Sequence, residues 1–413
     1  MPEMSVAYGL SLFSMRDIPG AWRRTAAGAG LLSPAGDVAP TIFAEMSAAA
    51  VRTGAINLGQ GFPDEDGPAE VLEAARQAIS DGANQYPPGR GIPDLLAAIG
   101  EHQRRFYGLE VDPQREVIVT AGATEALTAT LLALIDSPDD EVVVFEPFYD
   151  SYAAAVALAG ARLRTVPLRL PDFQPDLDAL SDAITDRTRL ILVNDPHNPT
   201  GTVFSREVQA EIIRLAHAHD AIIVTDEVYE HLVFDDAHRP IATLPGAAER
   251  TLTISSAGKT FSVTGWKIGW VHGPADLVTA VLTVKQFLTY VNGSPFQPAV
   301  AAGLRLPDGF FDDAARAMED KHRLLAQGLG AAGFAVIPPR GGYFTVADAT
   351  ALDGADSAGF CRALPERAGV VAIPLSAFVS KEHAGDYAGL VRFAACKRVE
   401  VLEEGMRRLA AAF

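Results

Sequence analysis

Lys259 lies in the stretch ISSAGKTFSVTGWKIGW, residues 254–270, with a second lysine, Lys267, eight residues on. A lysine leaving an apolar strand can clamp a nucleotide phosphate, or its amine can bond a carbonyl and carry a proton. Gly258-Lys259-Thr260 has the tail of a phosphate-binding loop. Such a loop opens on a glycine that lets the backbone wrap the phosphates, and that position here is Thr253. The acid that would hold Mg²⁺, Asp226 in AIIVTDE, also precedes the lysine, which reverses the usual order. No Gly-x-Gly-x-x-Gly joins a strand to a helix. Covalent amine chemistry is therefore the better reading. The whole chain has six lysines, none before position 259, so two inside one short motif are informative.

The surrounding pattern says what would position that amine. EVIVT (116–120), EVVVF (141–145), RLILVN (189–194), AIIVTDE (221–227), TLTISS (251–256) and IGWVHG (268–273) are short apolar runs with little alternation, as in strands buried on both faces. Helical spacing appears at 69–79, 124–135 and 206–219. Strands separated by helices predict an α/β fold with a mainly parallel, doubly wound sheet, whose ligand sits beyond the strands' carboxyl ends. Gly122, Tyr149, Asn194, Asp226 and Lys259 each follow such a strand, so five strand ends point at one crevice. Thr124 is expected to cap the helix that follows Gly122. After about residue 305, helices predicted at 311–332 and 398–411 flank the short strands FAVI, YFTVAD, VVAI and LVRFA, which suggests a smaller α+β domain.

Ten motifs in order carry a family resemblance: INLGQGFPDEDGP (56–68), NQYPPGRG (84–91), TAGATEAL (120–127), EPFYDSY (146–152), NDPHNPTG (194–201), TDEVYEHLVFD (225–235), SSAGKTFSVTGWKIGW (255–270), PFQPAVA (295–301), GGYF (341–344) and VRFAACK (391–397). From about residue 40 the chain resembles class I/II aminotransferases of fold type I, in particular the kynurenine, glutamine and methionine aminotransferase branch and the actinobacterial N-succinyldiaminopimelate aminotransferases. The resemblance implies a seven-stranded sheet sandwiched by helices and a pyridoxal 5′-phosphate cofactor. It implies that Lys259 bonds the cofactor's aldehyde and then shuttles a proton between the substrate Cα and the cofactor's C4′ carbon. Asp226 would pair with the ring nitrogen, and Tyr229 and Asn198 would donate to the phenolic oxygen. Asn194 would orient the ring or Asp226, and Tyr149 would stack on the ring face. Gly122, Ala123 and Thr124 at a helix N-terminus, with Ser256 and Lys267, would cup the phosphate. Tyr86 would reach that cup from a second subunit, so a homodimer with shared sites is implied. Arg392 would grip the substrate carboxylate by a two-pronged bond, and Gly61 would line the substrate pocket beside Asn198. Arg90 and Arg340 are further candidates for a distal carboxylate. Glu227 and Glu230 read as surface acids.

The implied reaction moves an amino group from an L-amino acid to a 2-oxo acid, with 2-oxoglutarate the expected acceptor, in ping-pong fashion. N-succinyldiaminopimelate, methionine, glutamine and kynurenine are the candidate donors. The rival within the same chemistry is a cysteine-S-conjugate β-lyase. Composition fits these readings. With 413 residues the chain exceeds one simple core, and the motifs divide it into an extension over 1–37, a segment over 38–67 that joins the small domain, a large cofactor-binding domain over 68–305 and a small domain over 306–413. A net charge of −18 argues against nucleic acid, and no apolar run reaches membrane-spanning length. Two cysteines, Cys361 and Cys396, make no CxxC pair, which fits a reducing cytoplasm and no metal centre. His217 and His219, two apart on a helix, point to different faces. Arg23-Arg24 followed by small residues faintly resembles an export signal, but the stretch ends at Ser33-Pro34. Residues 1–37 are expected to be a disordered or loosely docked extension.

Overall fold

The computed structural model describes residues 18–33, 35–235 and 237–413. Its centre is a sheet whose strands run, side by side, Val117–Thr120, Gly269–His272, Thr251–Ser256, Ile222–Asp226, Thr188–Asn194, Glu141–Glu146 and Arg162–Arg169, with the two-residue Gln174–Pro175 at the edge. Gly269–His272 is antiparallel to both neighbours, the edge pair is antiparallel, and the rest pair in parallel. Strand limits fall within a residue of those read from the apolar runs. Arg162–Arg169 is the exception: its RLRTVPLR alternates exposed arginines with inward residues, so no apolar run marks it.

Helices cover both faces because the sheet's side chains are apolar on both. One face packs Ile118, Val142, Val144, Leu190, Val224 and Ile254 against Ala126, Leu131 and Val281 of helices Gly122–Leu134 and Ala275–Lys285. The other packs Val143, Ile191, Val193 and Ile223 against Ile212 and Ala216 of helix Arg206–Ala218. Helix Gly122–Leu134 starts three residues earlier than a Thr124 cap predicts. Its cap position is Ala121, and no side chain caps it. The orphan N–H groups of the first turn are thus left free for another acceptor.

The C-terminal part holds a four-stranded antiparallel sheet in the order Ala335–Ile337, Phe344–Asp348, Leu390–Ala394, Ile373–Pro374. Helices Asp308–Ala331 and Val399–Ala412 cover it over Leu325, Leu329, Leu402 and Leu409. Ile56–Asn57 pairs in parallel with Val370–Val371, so the segment after helix Ile42–Thr53 is stitched to this part. Residues 1–17 and 34 of the expected extension lie outside the described residues. Within it, Ala21–Gly28 is a helix seated on Ser151–Ala159. Arg24 donates to the carbonyls of Ala157 and Leu158, the last turn of that second helix. None of the described helices is long and apolar enough to cross a membrane.

Candidate active site

The five strand ends open on one cavity of about 300 Å³. Its walls include Gly61, Gly122, Ala123, Thr124, Tyr149, Asn194, Asn198, Asp226, Tyr229, Ser256, Lys259, Lys267 and Arg392. Of the candidates named from the sequence, Tyr86, Arg90 and Arg340 are not among these lining residues. The Tyr86 side chain is 81% exposed and meets Tyr290 edge to face, outside its own chain's cavity.

Lys259 leaves strand Thr251–Ser256 on a single helical turn, Ala257–Thr260. Tyr343 Oη donates to its carbonyl at 2.7 Å. Its Nζ donates to the carbonyl of Gly61 at 3.1 Å and lies near the faces of Tyr229 and Tyr343. Burial lowers the amine's pKa, and Arg392 and Lys267 lower it further against Cys396 and Asp226. A lysine there is easily neutral, as a base or nucleophile must be.

Asp226 ends the central strand with its carboxyl buried. Burial raises its pKa, while a hydrogen bond from Tyr152 and the charge of Lys259 oppose the rise. Tyr152 Oη donates to Asp226 Oδ2 at 2.7 Å. This tyrosine was not among the sequence candidates. It sits three residues after Tyr149, one turn into its helix, and nothing in the spacing singles it out. Asn194 ties two candidates together: its Nδ2 donates to the Asp226 carbonyl at 2.8 Å, and its Oδ1 accepts from the Asn198 N–H at 2.7 Å.

Arg392 is 1% exposed, on the small-domain strand Leu390–Ala394. Its guanidinium donates to Asn198 Oδ1 at 3.0 Å and the Gly59 carbonyl at 2.7 Å, and lies on the face of Phe344 at 3.9 Å. Its Nε is buried without a partner, and no carboxylate of the described residues pairs with it. A buried cation with only neutral partners is costly and calls for an anion. Burial pushes its pKa down to about 10.

At the other end of the cavity Gly122, with φ +75°, passes under Lys267. A Cβ there would meet the lysine's Cε and Nζ at 3.2 Å. Lys267 itself takes the left-handed φ of +54°, an uncommon conformation for a side-chain-bearing residue. Free N–H groups of a helix start, a hydroxyl from Ser256 and an ammonium converge there, the chemistry that holds a phosphate.

Sequence reading missed the aromatic wall of Phe43, Phe62 and Phe344, with Gln60 beside it. Apolar residues look like core until the tertiary fold turns them to a cavity. Arg90 and Arg340 are not at this wall. Arg90 donates to the carbonyls of Arg115 and Val117, and Arg340 lies 3.4 Å from Asp235.

Glu227 and Glu230 are not surface acids: they are 2% and 4% exposed. The chain dips beneath the sheet after Asp226, where Glu227 pairs with His238 at 2.9 Å and Glu230 accepts from Ser255. His102, Glu230 and His231 converge within 4.8 Å. The two imidazoles are 2.7 Å apart at Nε2, a hydrogen bond. Nitrogens sharing a tetrahedral ion sit about 3.3 Å apart, given metal–nitrogen bonds of about 2.0–2.1 Å, so this group is a hydrogen-bonded network. His217 Nε2 donates to the Gly246 carbonyl and His219 Nδ1 bonds Asp186 Oδ1, so the two imidazoles have separate partners.

Fold and cavity together define an aminotransferase. The family model for aminotransferase class I and II matches residues 53–409, and the chain belongs to that family. A Mycobacterium tuberculosis protein described as "Probable N-succinyldiaminopimelate aminotransferase DapC" is 52% identical over 381 residues, covering 90% of this chain and 96% of that one. The methionine aminotransferase of Escherichia coli is 39% identical, over 82% of this chain and 88% of its own. Among solved structures, N-succinyldiaminopimelate aminotransferase from M. tuberculosis superposes with a TM-score of 0.88 at 52% identity, covering 91% and 97% of the two chains. The chain is thus an enzyme of the transaminating kind, and these relatives do not favour the β-lyase. The family works with pyridoxal phosphate, and the residues present fit it: a part-buried amine with a lowered pKa, a buried carboxyl with no ion pair among the described residues, and an uncapped helix start beside an ammonium.

Proposed function

We propose that this chain binds pyridoxal 5′-phosphate and transfers the amino group of an L-amino acid to a 2-oxo acid, with 2-oxoglutarate as acceptor. One observation carries the proposal: part-buried Lys259 and buried Asp226 and Arg392 face one cavity, and no carboxylate among the described residues pairs with the arginine. When bound, the cofactor supplies an aldehyde that condenses with amines and a ring that draws electrons from the bonded carbon. Gly122, Ala123, Thr124, Ser256 and Lys267 hold its phosphate. Asp226, kept in place by Tyr152 and Asn194, would hold a proton at the ring nitrogen. Tyr229 and Asn198 donate to the phenolic oxygen, and Tyr149 covers the ring. Arg392 binds the α-carboxylate and orients the donor, so that its Cα hydrogen points at Lys259 Nζ. The neutral amine accepts that proton and later returns it.

The donor's side chain then meets Phe43, Phe62, Phe344 and Gln60. This wall suits a long, largely apolar chain. That class includes methionine, kynurenine and the alkyl backbone of N-succinyldiaminopimelate, and the relatives' names point the same way. A homodimer completes the site, with Tyr86 of one subunit reaching the phosphate cup of the other, and the enzyme works in the cytoplasm. The test is a donor panel of N-succinyldiaminopimelate, methionine, glutamine and kynurenine with 2-oxoglutarate, following cofactor absorbance and glutamate. At least one donor should change the cofactor spectrum and yield glutamate. No spectral change with any donor refutes the proposal, and pyruvate release from an added cysteine S-conjugate without an acceptor shows the lyase instead. Tyr86→Phe should weaken cofactor retention about tenfold, the loss of one charged hydrogen bond. A fully active monomer in sedimentation analysis contradicts the shared site.

A further inference from the structure

The loop Leu58–Glu65 roofs the cavity with Gly61 and Phe62, and its backbone is zipped to the segment after Leu390. Ala394 N–H donates to the Leu58 carbonyl at 2.6 Å, Arg392 to that of Gly59 at 2.7 Å, and Lys259 to that of Gly61 at 3.1 Å. Lys397 Nζ takes the next, the Phe62 carbonyl, at 2.6 Å, and stands 3.9 Å over the Phe62 ring. Arg398 N–H donates to Asp64 at 2.7 Å, and Lys321 pairs with Glu65 at 2.6 Å. Three cationic side chains thus hold three carbonyls of one short loop. Two of them, Arg392 and Lys259, have work elsewhere in the proposed reaction, on the donor's carboxylate and the cofactor. Lys397 has none, for it is 4% exposed and pairs with no carboxylate among the described residues. A buried ammonium whose hydrogen bond goes to a carbonyl and which stands over a ring, with the charge of Asp64 near but unpaired with it, is costly unless it fixes something. What it fixes is Phe62, which is still 45% exposed and so belongs to the cavity's rim more than to a core.

We propose that Lys397 is a positioning residue for substrate selection. It is the permanent anchor that keeps Phe62 over the donor's side chain while Arg392 and Lys259 exchange the loop's carbonyls for ligand. The inference rests on the transaminase reading for its kinetic part and on the loop contacts alone for its structural part. Both parts are tested on holoenzyme with Lys397→Met, Lys397→Arg and Phe62→Ala. Lys397→Met should raise KM about tenfold for the best long-chain donor of the panel, as loss of a charged hydrogen bond would. It should leave kcat within about twofold on the same grounds, since the reacting groups are untouched. KM for 2-aminobutyrate, too short to reach Phe62, should hardly move. Lys397→Arg should recover most of the loss, and Phe62→Ala should reproduce the KM change with the loop still anchored. Hydrogen exchange should quicken at residues 58–65 in Lys397→Met and stay unchanged at 222–229. Unchanged exchange at 58–65 overturns the anchor, whatever the activity. Quickened exchange with unchanged KM, or a loss confined to kcat, overturns the selection role. If no donor is turned over, the transaminase reading fails while exchange still decides the anchor. If Lys397→Met does not fold, a Phe62→Ala enzyme with wild-type KM for the long donor overturns the proposal.

Discussion

Lys259 and Asp226 share a cavity but reach their working states by different routes. Burial and the neighbouring Arg392 and Lys267 shift the amine toward its neutral form, whereas burial shifts the carboxyl upward against Tyr152 and the charge of Lys259. Replacing Lys259 by Ala should abolish turnover and leave cofactor binding through the phosphate cup and Asp226. Residual turnover above about a thousandth of wild type, measured with the best donor, would contradict a covalent and proton-carrying role. Tyr152 bears on the same chemistry through Asp226. Its 2.7 Å bond is to a buried charged group, worth about 1.5–3 kcal/mol where fully expressed. Tyr152→Phe should lower kcat about tenfold or more with a smaller change in KM. Steady-state kinetics within twofold of wild type would show that Asn194 and the backbone suffice to hold Asp226. Most of these residues were legible because their motifs are short and their spacing follows strand ends. Tyr152 was not, because a tyrosine inside a helix looks like core until its hydroxyl is seen to meet Asp226.

At the scale of elements, the phosphate cup depends on how closely helix Gly122–Leu134 approaches strand Gly269–His272. A Cβ on Gly269 would lie 2.6 Å from the Gly122 carbonyl carbon and 2.8 Å from the Ala123 nitrogen. Those are backbone atoms and cannot step aside. Gly269→Ala should displace the helix start and reduce pyridoxal phosphate affinity about tenfold or more, as the loss of one or two anion bonds would. An unchanged dissociation constant in a fluorescence titration would show that the helix can shift without loosening the cup. The start of this helix was read from the sequence as a Thr124 cap, a local rule. The helix in fact begins at Gly122, and closeness to a strand almost 150 residues away, visible only in the fold, explains the glycine at 269. The helix at Ala21–Gly28 was likewise hidden. It lies on Ser151–Ala159, and small residues rather than a strong apolar stripe make the contact: a Cβ on Gly28 would meet Ala157 at 2.4 Å.

For the whole molecule, burial of ionisable groups sets the response to pH. Burial keeps His102 and His197 neutral down to about 3, His272 and His322 down to about 4, and pushes His231 well below its ordinary value. Unfolded, these imidazoles bind protons below about 6.5, so the unfolded chain gains protons the fold refuses, and stability falls as pH drops through that window. Asp195 and Glu230, raised by burial to about 7, act the other way, because the fold keeps protons that the unfolded chain releases above about 4. Burial raises Asp150 and Asp226 as well, while Glu141, despite burial, is held low by its partners, and the five histidines outweigh the four raised carboxyls. The holoenzyme's Tm should therefore decline as pH is lowered from about 6.5 to about 4.5. A flat or rising Tm over that range in a thermal-shift series would contradict the balance drawn here.

What the sequence determined by itself was the sheet, the strand-end placement of the chemistry, and the family with the reaction it runs. Apolar runs bury on both faces whatever surrounds them, and short motifs with fixed spacing carry their geometry with them. Tertiary structure alone decided the rest: the burial of Glu227 and Glu230, the aromatic cavity wall of Phe43, Phe62 and Phe344, the hold of Tyr152 on Asp226, and the hydrogen bond of Lys397 to the loop. These depend on residues far apart in sequence meeting in space. Whether a glutamate is solvated or buried, or a phenylalanine is core or wall, is set by what the fold brings to its other side.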